Sequence, residues 1–224
     1  MHTSRSRAQI ESEVLRGNEG MPEERHRGPK LLRLLTDRHF ALRAARYALG
    51  LPVPLDTEDR RVLEQEIFPF FQRQSGIRTV LFVGCDWYTR HYERAFFAGR
   101  DYWTLDVSPA ARKHGGRQHV VAPLESLAGH FPPDFFDLIF CNGVYGYGLD
   151  TREQCELAFA ACHSRLKKGG CFVLGWVDIP QRTPVPLDSL AALRHFEKMT
   201  FPPAGSWRYP TATPYRHTYD FYAK

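Results

Sequence analysis

The chain has 224 residues and a formal charge of +5, from 30 Lys and Arg against 25 Asp and Glu. That length suits one domain with an extension, and the apolar and aromatic content is enough for a sizeable core. No apolar run reaches the length of a membrane span, and the Arg- and Glu-rich stretch from Ser4 to Arg27 lacks the apolar segment of a secretory signal, so a cytoplasmic protein is expected.

Residues 1–28 are polar, mixed in charge and aperiodic, the pattern of a disordered tail, with Met21 as an alternative start. From Pro29 the spacing of Leu31, Leu34, Leu35, Leu42, Ala45 and Leu49 predicts a helix, stopped by Gly50, Pro52 and Pro54. A second helix begins at Asp56 or Thr57 and carries Val62, Leu63, Ile67, Phe70 and Phe71 on one side, with Pro69 expected to kink or end it. Residues 29–75 therefore form an N-terminal helical extension, which either packs on the sheet that follows or lies as a lid over its ligand edge.

Residues 76–224 alternate between strand and helix patterns. Thr79 to Gly84 reads as a buried parallel strand, Tyr88 to Phe97 as a helix and Tyr102 to Asp106 as the second strand. Ser108 to Lys113 is a short helix, His119 to Ala122 a third strand, Leu124 to His130 a helix and Phe136 to Cys141 the fourth strand. A glycine-rich loop from Asn142 to Asp150 follows. Thr151 with Gln154 makes a capping box for a helix with Cys155, Ala158, Cys162 and Leu166 inward, ended by Gly169 and Gly170. Cys171 to Trp176 is the fifth strand, Leu187 to Glu197 a helix, Met199 to Phe201 a short strand and His217 to Tyr222 the last strand. The pattern predicts an α/β fold: a Rossmann-like, mostly parallel sheet of about seven strands with helices on both faces, plus the two N-terminal helices.

Ligands of such sheets bind outside the carboxyl ends of the strands. That rule selects Gly84, Cys85, Asp86, Trp87 and Tyr88; Asp106 and Val107; Ala122 to Leu124; Asn142, Gly143, Val144, Tyr145 and Tyr147; and Trp176 to Asp178. Cys85, Cys141, Cys155, Cys162 and Cys171 are odd in number and show no Cys-x-x-Cys spacing, so they read as buried reduced thiols, and no metal site is expected. Charges in the first half are interleaved and no basic stripe or nucleic-acid module appears, so a nucleic-acid partner is not expected.

Val-Leu-Phe-Val-Gly-Cys at 80–85, Trp-Thr-Leu-Asp at 103–106, Phe-Asp-Leu-Ile-Phe-Cys-Asn at 136–142 and Leu-Lys-Lys-Gly-Gly-Cys-Phe-Val-Leu at 166–174 together resemble the class I S-adenosylmethionine-dependent methyltransferases. The resemblance implies S-adenosylmethionine as cofactor and S-adenosylhomocysteine as product. It implies that Gly84 makes the turn at the cofactor, Asp106 accepts from the ribose hydroxyls, and Val107 lies against the adenine. Asn142 and Gly143 would line the aminoacyl end. In this chain Phe82 stands where the family pattern has an acidic residue, Asp86 and Tyr88 replace its second and third glycines, and Ala122 replaces an acidic residue.

Asp86 is a candidate partner for the cofactor ammonium, and Trp87, Tyr88, Tyr92, Tyr145 and Tyr147 present aromatic rings where a sulfonium would sit. Trp87 reads equally as packing, and Tyr92 as core. Asp178, Tyr145 and His217 are the candidates for a catalytic role, whereas Asp137, at the far end of the fourth strand, reads as structural and His91 as packed. The Arg182 to Tyr215 segment, rich in Pro, Arg and aromatics, suggests a small-molecule acceptor of aromatic or anionic character. Two other functions remain open: a non-catalytic S-adenosylmethionine-binding regulatory or scaffold protein, and an RNA or protein methyltransferase tethered by the basic N-terminus. Gly143 after Asn142 departs from the Asn/Asp-Pro-Pro-aromatic tetrad that amino-methylating nucleic-acid enzymes carry.

Overall fold

A computed structural model describes Leu42, residues 45–49, Leu51, Val53 and residues 55–224. The tail over 1–28, the alternative start at Met21, most of the helix expected from Pro29, and its stop at Gly50, Pro52 and Pro54 lie outside the described residues. Within the described part, residues 45–48 are helical, while Leu42 and Leu49 are exposed rather than turned inward.

Five parallel strands form the centre of the sheet: β1 (Thr79–Val83), β2 (Asp101–Asp106), β3 (Gln118–Val121), β4 (Phe136–Asn142) and β5 (Leu166–Val177). The antiparallel β8 (His217–Ala223) pairs with β5, and the short β6 (Glu197–Lys198) and β7 (Arg208–Pro210) pair antiparallel with the other edge of β8. The main path runs β3-β2-β1-β4-β5-β8-β6, eight strands in all with β7, where the sequence suggested about seven. After β3 the chain crosses back over β1 to start β4. The switch point therefore lies between β1 and β4, where open α/β sheets place their ligands.

Period-two alternation divides the core between the two faces. Leu81, Val83, Ile139, Cys141, Phe172 and Leu174 face the long helix α3 (Arg152–Arg165), through Cys155, Ala158, Phe159 and Cys162. Val80, Phe82, Leu138, Phe140 and Val173 face a helix over residues 58–72, α1, through Leu63, Ile67, Phe68 and Phe71, with Tyr92 and Phe97 from around α2 (Tyr92–Phe96). The second N-terminal helix thus packs on the sheet. Pro69 neither ends α1 nor stands alone in it: Leu63–Ile67 is a π-turn just before the proline, and the helix continues to Gln72. A proline ring clashes with the carbonyl four residues back, and the wider turn relieves that contact.

Several expected elements are shorter or displaced. The helix expected over Tyr88 to Phe97 is a 3₁₀ turn, Trp87–Thr89, followed by α2. Pro109–His114 and Leu124–Gly129 are 3₁₀ segments, and the helix expected over Leu187 to Glu197 is two 3₁₀ turns, Leu187–Ser189 and Ala192–His195, preceding β6. Gly169 and Gly170 do not end α3. That helix stops at Arg165 and both glycines lie in β5, where Gly169 takes φ +76° and donates to the Lys224 carbonyl at 2.7 Å. Met199 is not in a strand, although its N–H bonds to the Phe221 carbonyl.

Candidate functional site

A cleft of about 190 Å³ opens at the carboxyl ends of β1, β2 and β4. Gly84 forms its base. Its φ is +90°, and a Cβ there would fall 2.3 Å from the Asn142 carbonyl oxygen and 2.9 Å from Val144 Cγ2, so only glycine fits. Asp106 forms one wall at the end of β2, its Oδ2 accepting from the Cys85 N–H and its Oδ1 from the Ser108 N–H, both at 2.8 Å. Each oxygen keeps further acceptor capacity. Val107, 65% exposed, and buried Leu124 line the cleft with Ala122, Pro123 and Glu125. Gly143, Val144, Tyr147, Gly148, Leu149 and Gln154 close the opposite side.

Of the residues expected from sequence, Gly84, Asp106, Val107, Leu124, Gly143 and Val144 are thus brought together. Cys85 supports from behind: its amide anchors Asp106, while its thiol is buried, which pushes its pKa up. Asp86 caps the Trp87–Thr89 turn, accepting from the Trp87 N–H at 2.6 Å while its own N–H donates to Thr89 Oγ1 at 3.1 Å. Burial raises its pKa against the pull of that N–H and of Arg60. Trp87 packs with Val53 and Tyr88. Tyr88 and Tyr92 are also packed away from the cleft, Tyr92 among Phe68 and Phe82 as expected of a core residue.

Tyr145 is a correction. It is fully buried against Phe159 and Trp176, its hydroxyl donates to the Val185 carbonyl, and burial pushes its pKa up to about 12, so it is unavailable as a catalytic group. Tyr147, two residues on, is the tyrosine that lines the cleft. His217 is likewise enclosed. Burial lowers its pKa to about 4, so it is neutral near pH 7, and Nε2 accepts at 3.2 Å from the amide nitrogen of Asn142 when the Asn142 oxygen is turned to the Arg60 guanidinium. With Nε2 accepting from Asn142, the ring's acceptor lone pair is engaged. Asp178 lies outside the cleft walls, ion-paired with Arg216 at 2.7 Å. Asn142 itself is buried beneath the cleft floor, opposite Gly175, where any Cβ would fall 1.9 Å from its side-chain amide.

Asp137 is structural as expected: it accepts from the Arg78 and Thr79 amides and from Lys167 Nζ at 2.8 Å, which hold its pKa below the usual range although burial opposes them. His91 is buried beside Tyr92 and Phe96. All five cysteines are free and buried. Among the described residues no helix is long and apolar enough to cross a membrane, and no cluster of His, Cys, Asp and Glu is arranged to hold a metal.

Sequence reasoning missed Arg60 and Asp59, and named Arg182 only as the start of the Arg182 to Tyr215 segment. Arg60, on α1, reaches Tyr88, Tyr92 and Asn142, while Asp59 accepts from the Tyr215 hydroxyl at 2.7 Å. Arg182 stacks on the Tyr147 ring at 4.1 Å and donates to the Gly146 carbonyl at 3.2 Å. Arg60 and Arg182 act across more than 20 residues of sequence and no local pattern marks them.

Residues 81–174 match a protein family described as a methyltransferase domain. That match covers the strands β1 to β5 and the cleft at their ends, and the fold is the one that solved S-adenosylmethionine-dependent methyltransferases share. No curated protein sequence matches the chain. Among solved structures, N-methyltransferase NodS from Bradyrhizobium japonicum is similar at 14% identity and TM-score 0.58, covering 75% of this chain and 98% of that one. The same enzyme in complex with S-adenosylhomocysteine gives 16% identity, TM-score 0.52, and 84% and 99% coverage. A TehB-like SAM-dependent methyltransferase from Corynebacterium glutamicum gives 17%, 0.53, and 85% and 98%. At these identities the likeness is one of fold.

Proposed function

We propose that the protein binds S-adenosylmethionine in this cleft and transfers its methyl group to a small-molecule acceptor by in-line displacement. The observation that carries the reading is the pairing of Gly84 with Asp106 at the switch point: a cradle that no Cβ could share, beside a carboxylate held by two backbone amides with acceptor capacity left. In this reading Asp106 accepts from the ribose hydroxyls, Val107 and Leu124 flank the adenine, and Gly143 and Val144 pass along the aminoacyl end. Asp86 does not line the cleft and is committed to its cap, so this reading assigns it no contact with the ammonium. Residues 76–224 form the catalytic domain and residues 29–75 an extension of it. The reduced thiols suit a cytoplasmic setting.

The cofactor supplies an electrophilic methyl on a good, neutral leaving group. The protein's contribution is alignment, which supplies much of the acceleration in such displacements, and the reading requires no acid-base pair. The acceptor side is the Tyr147 ring and the Arg182 guanidinium stacked on it. Arg182 has no carboxylate within ion-pair distance among the described residues, which favours a planar or anionic acceptor.

The test is formation of S-adenosylhomocysteine from S-adenosylmethionine over matched panels of small phenols, amines and carboxylic acids, followed by mass spectrometry. The reading expects methylated product from an anionic or aromatic member, with kcat/KM falling at least ten-fold in Arg182→Gln while cofactor affinity stays within two-fold. Cofactor binding without turnover of any panel member, or methylation of RNA or protein only, would contradict it.

A further inference from the structure

The turn after β1 departs from the glycine pattern at Asp86 and Tyr88, and neither side chain lines the cleft. Asp86 is folded into its own cap. Tyr88 is held from outside the turn: the Arg60 guanidinium sits 4.2 Å from its ring centroid, and Arg60 Nη2 donates to its hydroxyl at 3.0 Å. The Arg60 side chain is only 7% exposed, and its other contacts are the Tyr92 hydroxyl and the Asn142 amide oxygen. Asp59 is 3.6 Å from Nε, which makes no hydrogen bond. An apolar side chain of similar volume would fill this space without desolvating a cation. Packing alone therefore does not account for an arginine here.

We propose that Arg60 is a positioning residue for the cofactor: it holds the Tyr88 ring out of the space that a glycine would leave open, and keeps the aminoacyl end of the cleft accessible between Gly84 and Asn142. The inference rests on the cofactor reading above. Released from the guanidinium, the ring can change rotamer about its Cα–Cβ bond, four residues after Gly84. Through Asn142 the same guanidinium fixes the end of β4, so one residue of the N-terminal helix sets two edges of the site.

Calorimetric titration with S-adenosylhomocysteine tests this without turnover. Replacing Asp59→Asn and Arg60→Met together removes the cation without leaving an unpaired buried carboxylate. In this variant, shown to be folded by circular dichroism, the dissociation constant is expected to rise at least ten-fold, and adding Tyr88→Gly is expected to restore it to within three-fold of wild type. Tyr88→Phe, which keeps the ring and removes only the hydroxyl that Arg60 grips, is expected to weaken binding several-fold and covers the case in which the double variant does not fold. Wild-type affinity in the double variant or in Tyr88→Phe would overturn the proposal. So would failure of Tyr88→Gly to restore binding, since Arg60 would then act on the fold and not through Tyr88. A wild-type protein that binds no S-adenosylhomocysteine would instead remove the cofactor reading itself, and this inference with it.

Discussion

Alanine at Gly84 adds one carbon at the most constrained point of the cleft. Two costs add. A side chain at φ +90° carries roughly 1–2 kcal/mol of backbone strain. The new Cβ meets the Asn142 carbonyl oxygen at 2.3 Å and Val144 Cγ2 at 2.9 Å, so β4 must shift, and overpacking of this kind costs about 1–3 kcal/mol. The sum, about 2–5 kcal/mol, corresponds to a fall in Tm on the order of 10 °C for a chain of this length. Gly99 provides the control: its φ is +79° but nothing lies within 4 Å of a built Cβ, so Gly99→Ala carries the strain without the overlap and should lower Tm by only a few degrees, on the order of 2–8 °C. Thermal unfolding of both variants, with S-adenosylhomocysteine titrated into each, separates the two costs. Gly84→Ala should lose cofactor affinity as β4 moves, and Gly99→Ala should keep it. Equal destabilisation of the two, or undiminished affinity in Gly84→Ala, would refute the close approach of β1 to β4 on which the site is built.

The buried, neutral His217 gives a pH dependence. Burial lowers its folded pKa to about 4, below the ordinary value near 6.5, so between these values the unfolded chain binds more protons and stability falls as pH drops from about 6.5 to about 4. The loss attributable to this residue is on the order of 3 kcal/mol at the acid end, and His217→Gln should flatten that limb of a denaturation series; an unchanged slope would contradict the burial argument. Tyr145→Phe removes the bond to the Val185 carbonyl and should cost about 1–2 kcal/mol of stability while leaving kcat within two-fold, whereas a ten-fold loss of kcat at unchanged Tm would return Tyr145 to the chemistry. Asp178→Asn breaks a half-exposed ion pair with Arg216 and should shift stability by less than about 1 kcal/mol, with the pH profile of kcat unaltered.

What the sequence made readable was set by how local the signal is. β1, β4 and the Cys171–Val177 part of β5 are buried on both faces and appear as largely apolar runs, and the Thr151–Gln154 capping box marks the start of α3 within its own four residues. The 3₁₀ segments escaped because three to six residues carry no helical period, and Trp87–Thr89 and α2 merged into one expected helix. Gly169 and Gly170 looked like a helix stop. They are instead paired with the chain's last residue, Lys224, through contacts that no neighbouring residue announces. In the cleft, Gly84, Asp106 and Val107 follow from strand ends and were legible. The choice between Tyr145 and Tyr147 was not, since a loop has no period to say which side chain turns inward. Arg60 was invisible for a different reason: its partners stand 28 residues away at Tyr88 and farther still at Asn142, and the cation reads locally as a surface charge on a helix.

The most direct measurement is calorimetric titration of the protein with S-adenosylmethionine and S-adenosylhomocysteine, repeated on Asp106→Ala after circular dichroism shows it folded. Saturable binding of both ligands, weakened at least 100-fold in Asp106→Ala, is the predicted result. No binding to the folded wild-type protein, or equal affinity in Asp106→Ala, would contradict the assignment of the cleft between β1, β2 and β4 as the cofactor site.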